Sequence, residues 1–439
     1  MNLFFKKLIG QLQSSGKLEA HIQQVQNGIV RYRRIEASEE LKEYRELKDI
    51  IDAPEFKEKK RILTQTKYKD TDPYHVLQDL HRMEKDKELQ LYLYVNESKL
   101  LAEYLSFRQS ENYVKLSDKA SVSQSPDLRR MLKFERSRAY KTWLKYSTSG
   151  IPDQFKALQE QTGDETFRKE KRFWENPRRW LTTPEYKQEC RFAELAALDD
   201  IRFFLAQDEE QIRKIESYKA TFSDDFNWKK IQDSAWQPGF AYKSDKLKQQ
   251  HSFTAEHQAN NGGHNTGTVN GYLTILTHKE TTTAPAWDEK KGFVSRTFDY
   301  TSDVIQTAGA FEQEEGIFMA KIRCTGRVHH AFTLGCRTKT PLIHLFNYDG
   351  KKLHVGCTSD AGFDGTTVSG LSWADYHIFT LRWTKTEMIW YVNNMEVFRT
   401  TKHLPSQALY LSVASFLPKA ERPAEGRMEI DWVRVYKQA

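Results

Sequence analysis

Side chains that could do chemistry are unevenly placed along this chain. His329 and His330 are adjacent, and His344 sits on the next strand-like run. Neighbouring residues on a strand face opposite ways, and no third ligand accompanies them. They read as polar packing or as an exposed cleft histidine rather than a metal or acid/base site. From Arg327 to Tyr348 there is no Asp or Glu at all, so no pair of carboxylates can act from that stretch. Cys190, Cys324, Cys336 and Cys357 form no CxxC pair, which argues against structural zinc. They read as small buried hydrophobes in a reducing compartment.

The elements that would position these groups differ between the two halves of the 439 residues. Residues 1–220 carry 42 Lys and Arg against 37 Asp and Glu, and residues 221–439 carry 25 against 23. Sixteen of the 21 glycines follow residue 220, as a turn-rich β region requires. A boundary is therefore expected near Thr221, giving a helical domain over 1–220 and a β domain over 221–439. The positive charge is interleaved with acids rather than concentrated, which disfavours nucleic acid as a partner. No run is long and apolar enough to span a membrane. The opening Met1–Gly10 is too short for a signal segment, so with no visible export signal the reading defaults to the cytoplasm.

The first half repeats itself. Phe56–Leu93 aligns with Phe167–Leu205, matching Tyr68 to Trp180, Pro73 to Pro184 and Tyr74 to Tyr186. A weaker copy, Pro126–Phe134 followed by Tyr140–Tyr146, lies between them, giving approximate units 30–105, 106–160 and 161–218. Each unit is a charged amphipathic helix with aromatic and Leu positions three and four apart. Such units bury their stripes only by stacking on neighbours. That implies a scaffold offering a surface to a protein partner.

From Phe222 the period changes to two. Gly271–Thr277, Gly316–Arg323, Tyr376–Trp383 and Met428–Tyr436 alternate apolar with polar, and Asp349-Gly350 and Asn393-Asn394 supply turns. The predicted fold class is thus a helical repeat region followed by an antiparallel β-sandwich. Seven pieces then occur in one order: Phe222–Trp228, Asn270–Ile275, Tyr300–Phe311, Gly316–Arg323, Asp375–Trp383, Ile389–Asn394 and Asp431–Tyr436. Together they resemble glycoside hydrolase family 16, the laminarinases and lichenases, which are concanavalin A-like jelly rolls.

The resemblance implies a catalytic strand at Pro341–Asn347. Retaining glycosidases need two carboxylates ~5 Å apart, and the family sets them as Glu-x-Asp-x-x-Glu, a bulge returning the last to the face of the first. Those positions are expected at Pro341, Ile343 and Phe346, and none is an acid. The resemblance also implies a calcium site at Asp431, near Gly271, in a chain that otherwise requires no cofactor. For a sugar held on the concave face, the expected contacts are His344, Tyr348, Phe332, Trp373 and Trp236. Three functions follow: a non-catalytic module binding a polysaccharide, a structural or assembly protein without a sugar ligand, and a divergent hydrolase of β-glucan-type polysaccharides.

Overall fold

A computed structural model describes residues 1–242, 247 and 250–439. It separates two compact units, Arg34–Ala206 and a second formed by Met1–Arg33 with Gln207–Ala439. Residues 1–33 thus group with the sandwich rather than with the helices. Leu3 and Leu12 are buried in the sandwich core, where the apolar burial outweighs local helical preference. Backbone pairing adds to this: Leu3 N–H donates to Ser369 O, and Ser369 N–H to Met1 O, both at 2.8 Å.

The helical unit is a hairpin of two antiparallel files of short helices. Its pairings step up one file as they step down the other. Tyr44 stacks on Phe192, Phe56 meets Trp180 edge-on, Tyr92 stacks on Tyr146, and Tyr104 meets Phe134. Chain punctuation is local. Ser38, Asp86, Ser98, Ser137 and Thr183 cap helix starts by accepting backbone N–H bonds, and Pro54, Pro73 and Pro184 sit in first turns.

The element order in this part of the chain runs twice. Helices Glu39–Asp52 and Pro54–Gln65, the 3-10 turn Tyr68–Asp70 and helices Asp72–Glu84, Lys87–Asn96 and Lys99–Arg108 make the first copy. Ile151–Gly163, Glu165–Glu175, Arg179–Thr182, Pro184–Ala197, Asp199–Leu205 and Glu209–Glu216 make the second. The aligned Tyr68 and Trp180 both fall in the 3-10 turns. The intervening segment Pro126–Glu135 and Arg138–Ser147 has no such turn between its helices, and it packs against the Lys87–Arg108 region instead of forming a separate module. No helix among the described residues is long and apolar enough to cross a membrane.

The sandwich has two sheets. The larger runs Met395–Thr400, Met388–Val392, His377–Trp383, Gly316–Gly326, Gly426–Gln438, Tyr272–Asp288, Gly292–Ser302 and Gln258–Asn260. The smaller runs Gly362–Val368, Leu353–Ser359, Leu342–Asp349, His329–Gly335, Leu409–Phe416, Val304–Gln306 and Gln237–Pro238. Strand Tyr218–Asp224 opens the β region by pairing with the final strand. Asn393 and Asn394 take φ 47° and 67°, the left-handed pair that a two-residue hairpin needs. Alternation sends Phe332, Leu334 and Ile343 of the smaller sheet and Phe318, Leu381 and Val433 of the larger into one core. Phe346 and Phe379 meet edge-to-face across it, centroids 4.9 Å apart.

Candidate functional site

The outer face of the smaller sheet is the floor of a cleft of ≈ 310 Å³. Its central strand, Leu342–Asp349, carries an irregularity that decides which residues look outward. Opposite His329–Gly335, Thr333 pairs with His344 but Phe332 pairs with Phe346, so Leu345 is an extra residue. Ile343, Leu345 and Phe346 are all at most 1% exposed and lie in the core. Leu342, His344 and Asn347 line the cleft. The bulge thus returns Asn347 to the face of His344.

This corrects the expected register by one residue. The outward i, i+2, i+5 positions are Leu342, His344 and Asn347, whereas Ile343 and Phe346 point into the core, and Pro341 precedes the strand. The spacing alone could not choose between these registers, because a bulge breaks period two at an unmarked place.

His344 is 8% exposed. Its Nε2 shares a hydrogen bond of 2.8 Å with Thr358 Oγ1 on the neighbouring strand, and its Nδ1 has no partner. Its carbonyl accepts from Trp390 Nε1 at 2.9 Å, which holds the strand against the core. Burial pushes the imidazole down to about 4, so the ring is neutral near pH 7. One ring nitrogen therefore donates and the other accepts. Nδ1 is itself buried, so the ring meets the cleft by its edge and not by a free nitrogen.

The other four expected sugar contacts lie elsewhere. Phe332 and Trp236 are each 1% exposed in the sandwich core, and Trp236 Nε1 donates to Asp224 at 2.8 Å. Tyr348 and Trp373 are half-buried and pack against the same core, their rings 6.4 Å apart. Tyr348 also stacks on His330. The three histidines do not converge. His330 is fully buried with Nδ1 2.7 Å from Ser415 Oγ, and His329 pairs with Glu421 at 3.1 Å.

Sequence reasoning passed over the rest of the cleft. Tyr410, Ser412, Ala414 and Phe416 line it from one strand, and the alternation in Leu409–Phe416 carries that signal. Phe240, Tyr242, Phe253, Glu256 and Gln258 come from the irregular segment before Tyr272. No periodicity marks them.

The residues implied for calcium do not fit that ion. The single carboxylate of Asp431 is bonded to the Lys321 ammonium at 2.7 Å. Lys321 also pairs with Glu19 at 2.9 Å, and Glu19 accepts from Trp432 Nε1 at 2.8 Å. Gly271 takes φ 83° in a turn, beside Asn227 rather than a second acid. A calcium ion wants several hard oxygens, whereas here a positive side chain already holds the one acid. Among the described residues no group of three or more His, Cys, Asp or Glu could hold a metal.

Comparison with solved structures finds sugar-cleaving enzymes of the same extent as the sandwich. The catalytic domain of an endo-1,3-beta-glucanase (laminarinase) from Thermotoga petrophila RKU-1 has 21% identity and a TM-score of 0.41, covering 50% of this chain and 98% of its own. The endo-beta-1,3-glucanase from Pyrococcus furiosus has 20% identity and a TM-score of 0.41, with 51% and 95% covered. The kappa-carrageenase from Pseudoalteromonas carrageenovora has 17% and 0.39, with 51% and 96% covered. No curated protein matches the chain. Residues 356–434, from the strand beside the cleft floor to the last strand, match the family model described as Glycosyl hydrolases family 16.

Proposed function

We propose that the sandwich is a polysaccharide-binding module that does not cleave its ligand by the double displacement of retaining glycosidases. One observation carries the reading: the outward positions of the bulged floor strand are Leu342, His344 and Asn347. Leu has no proton to transfer and an amide is no nucleophile. The neutral His344, its Nε2 held by Thr358, is neither a carboxylate nucleophile nor a carboxylic acid. Removing members of a catalytic set that acts as a unit costs on the order of a million-fold in rate. Aromatic faces with a few polar groups remain, which is what a sugar site needs. The helical hairpin is proposed as the carrier of this module and a docking surface for a protein. Aromatic residues such as Tyr44 and Phe56 are spent on its own interior, Tyr94 is exposed, and its outside is laced with ion pairs such as Arg191–Glu43.

Affinity electrophoresis of the full chain on laminarin, lichenan and xylan tests the reading. Retardation on at least one is expected, weakened several-fold by His344→Ala, which takes the ring edge from the cleft floor. Reducing-sugar release from the same panel should stay at background. Retardation on none removes the sugar ligand, and steady release removes the non-cleaving part.

A further inference from the structure

Glu256 follows the short strand Ser252–Phe253 and lines the same cleft. Its Oε2 accepts from Gln258 Nε2 at 2.7 Å. Gln258 is fully buried and its Oε1 is taken by the Leu417 N–H at 2.7 Å, so the amide is fixed and the carboxyl with it. Among the described residues that amide is the carboxyl's one side-chain partner, and no cation pairs with it. Phe240, Tyr242 and Phe253 line the cleft on this side and thin out the water around the acid. The one Lys or Arg lining the cleft among the described residues, Lys339, is exposed to solvent.

We propose that Glu256 sets the charge class of the ligand: the cleft takes neutral polysaccharides and rejects those bearing carboxylate or sulfate groups. This rests on the polysaccharide-binding reading above. The reason is electrostatic. A hydroxyl can donate to the carboxylate, but an anion brought beside it in a partly desolvated cleft is repelled far more than in water. An exposed lysine is screened and does little to offset this. Burial pushes the Glu256 carboxyl up to about 7, so the rejection sets in as pH rises through that value. Cys336 also lines the cleft, and His251 packs against Phe240, Tyr242 and Phe253. Tyr242 and Tyr410 are raised by burial and stay neutral, and His344 is held down to about 4.

The test compares laminarin, a neutral glucan, with kappa-carrageenan and alginate, which are anionic, using the full chain at about pH 6 and about pH 8.5. Wild type should be retarded by laminarin alike at both. Its weak retardation on the anionic polymers should fall at least about tenfold between the two pH values. Glu256→Gln should lose that pH dependence and bind the anionic polymers at both, while Glu256→Asp should keep the wild-type pattern. Equal binding of anionic polymers by wild type at both pH values overturns the proposal, and needs no variant to be seen. So does anionic discrimination unchanged in Glu256→Gln. Wild type retarded by none of the three polymers overturns the underlying reading, and this one with it.

Discussion

The helical hairpin and the sandwich use aromatic residues in opposite ways. In the hairpin, each aromatic belongs to a helix whose ends are set by caps and prolines within a few residues. Its partner is a near neighbour in the chain, as with Tyr140 and Trp143, or lies on the opposite file, as with Tyr44 and Phe192 or Phe56 and Trp180. In the sandwich, whether an aromatic reaches the cleft or the core depends on pairings across strands far apart in sequence. Phe332 and Phe346 pair in the interior, while Tyr410 and Phe416, on the strand paired with that of Phe332, line the cleft. The comparison teaches that local spacing identifies what a helical residue does. In a bulged sheet it only narrows the choice to two faces.

The largest effect that would sharpen this contrast is loss of a core ring in the sandwich. Phe332→Ala should destabilise the sandwich by about 3–5 kcal/mol, the cost of truncating a buried Phe. The β transition in a melt should move while the helical signal at the start of the melt is unchanged. A result within about 0.5 kcal/mol of wild type would place Phe332 on the cleft side after all.

Acid should separate the two units next. His330 and His344 are buried and held down to about 3 and about 4, so together they bind fewer protons folded than unfolded, a difference that Glu256, raised to about 7, offsets only in part. The stability this confers is complete above the unfolded value near 6.5 and is lost as pH falls from there toward about 4. The loss should be on the order of a few kcal/mol in the sandwich transition. The histidines His75 and His81 of the hairpin stand outside its buried core, so its transition should shift less over that interval. Equal shifts in both would break the contrast.

The smallest effect concerns the network in the middle of the last strand. Lys321→Met removes the ammonium shared by Glu19 and Asp431, leaving two half-buried acids side by side. A loss of roughly 1–3 kcal/mol is expected, and neither added calcium nor a chelator should change the melting of the wild-type chain. Stabilisation of wild type by millimolar-range calcium would show that the acid is available to the ion.

Much of this was legible in the residues. The change from period 3.6 to period two near residue 220 and the Asn393-Asn394 hairpin are local signals, and both appear as expected elements. The acid-free window from Arg327 to Tyr348 is equally local, and it excludes a carboxylate pair on the floor strand in any register. His344, expected as a sugar contact, lines the cleft. Phe332 was not distinguishable from it, since residue type does not say which sheet face a strand residue occupies, and Trp236 stands in a loop where no periodicity applies.

Sequence by itself determined the class of each half and the chemistry missing from the floor strand, because both follow from residue type and near-neighbour periodicity. Only the tertiary structure decided three things. The bulge at Leu345 sets the outward face as Leu342, His344 and Asn347. Residues 1–33 join the sandwich because Leu3 and Leu12 find their apolar burial there. Glu256 enters the cleft because an irregular segment folds back over the sheet, held by Gln258 and the Leu417 backbone. Each of these is a pairing between residues distant in the chain, and neither spacing nor composition encodes such pairings directly.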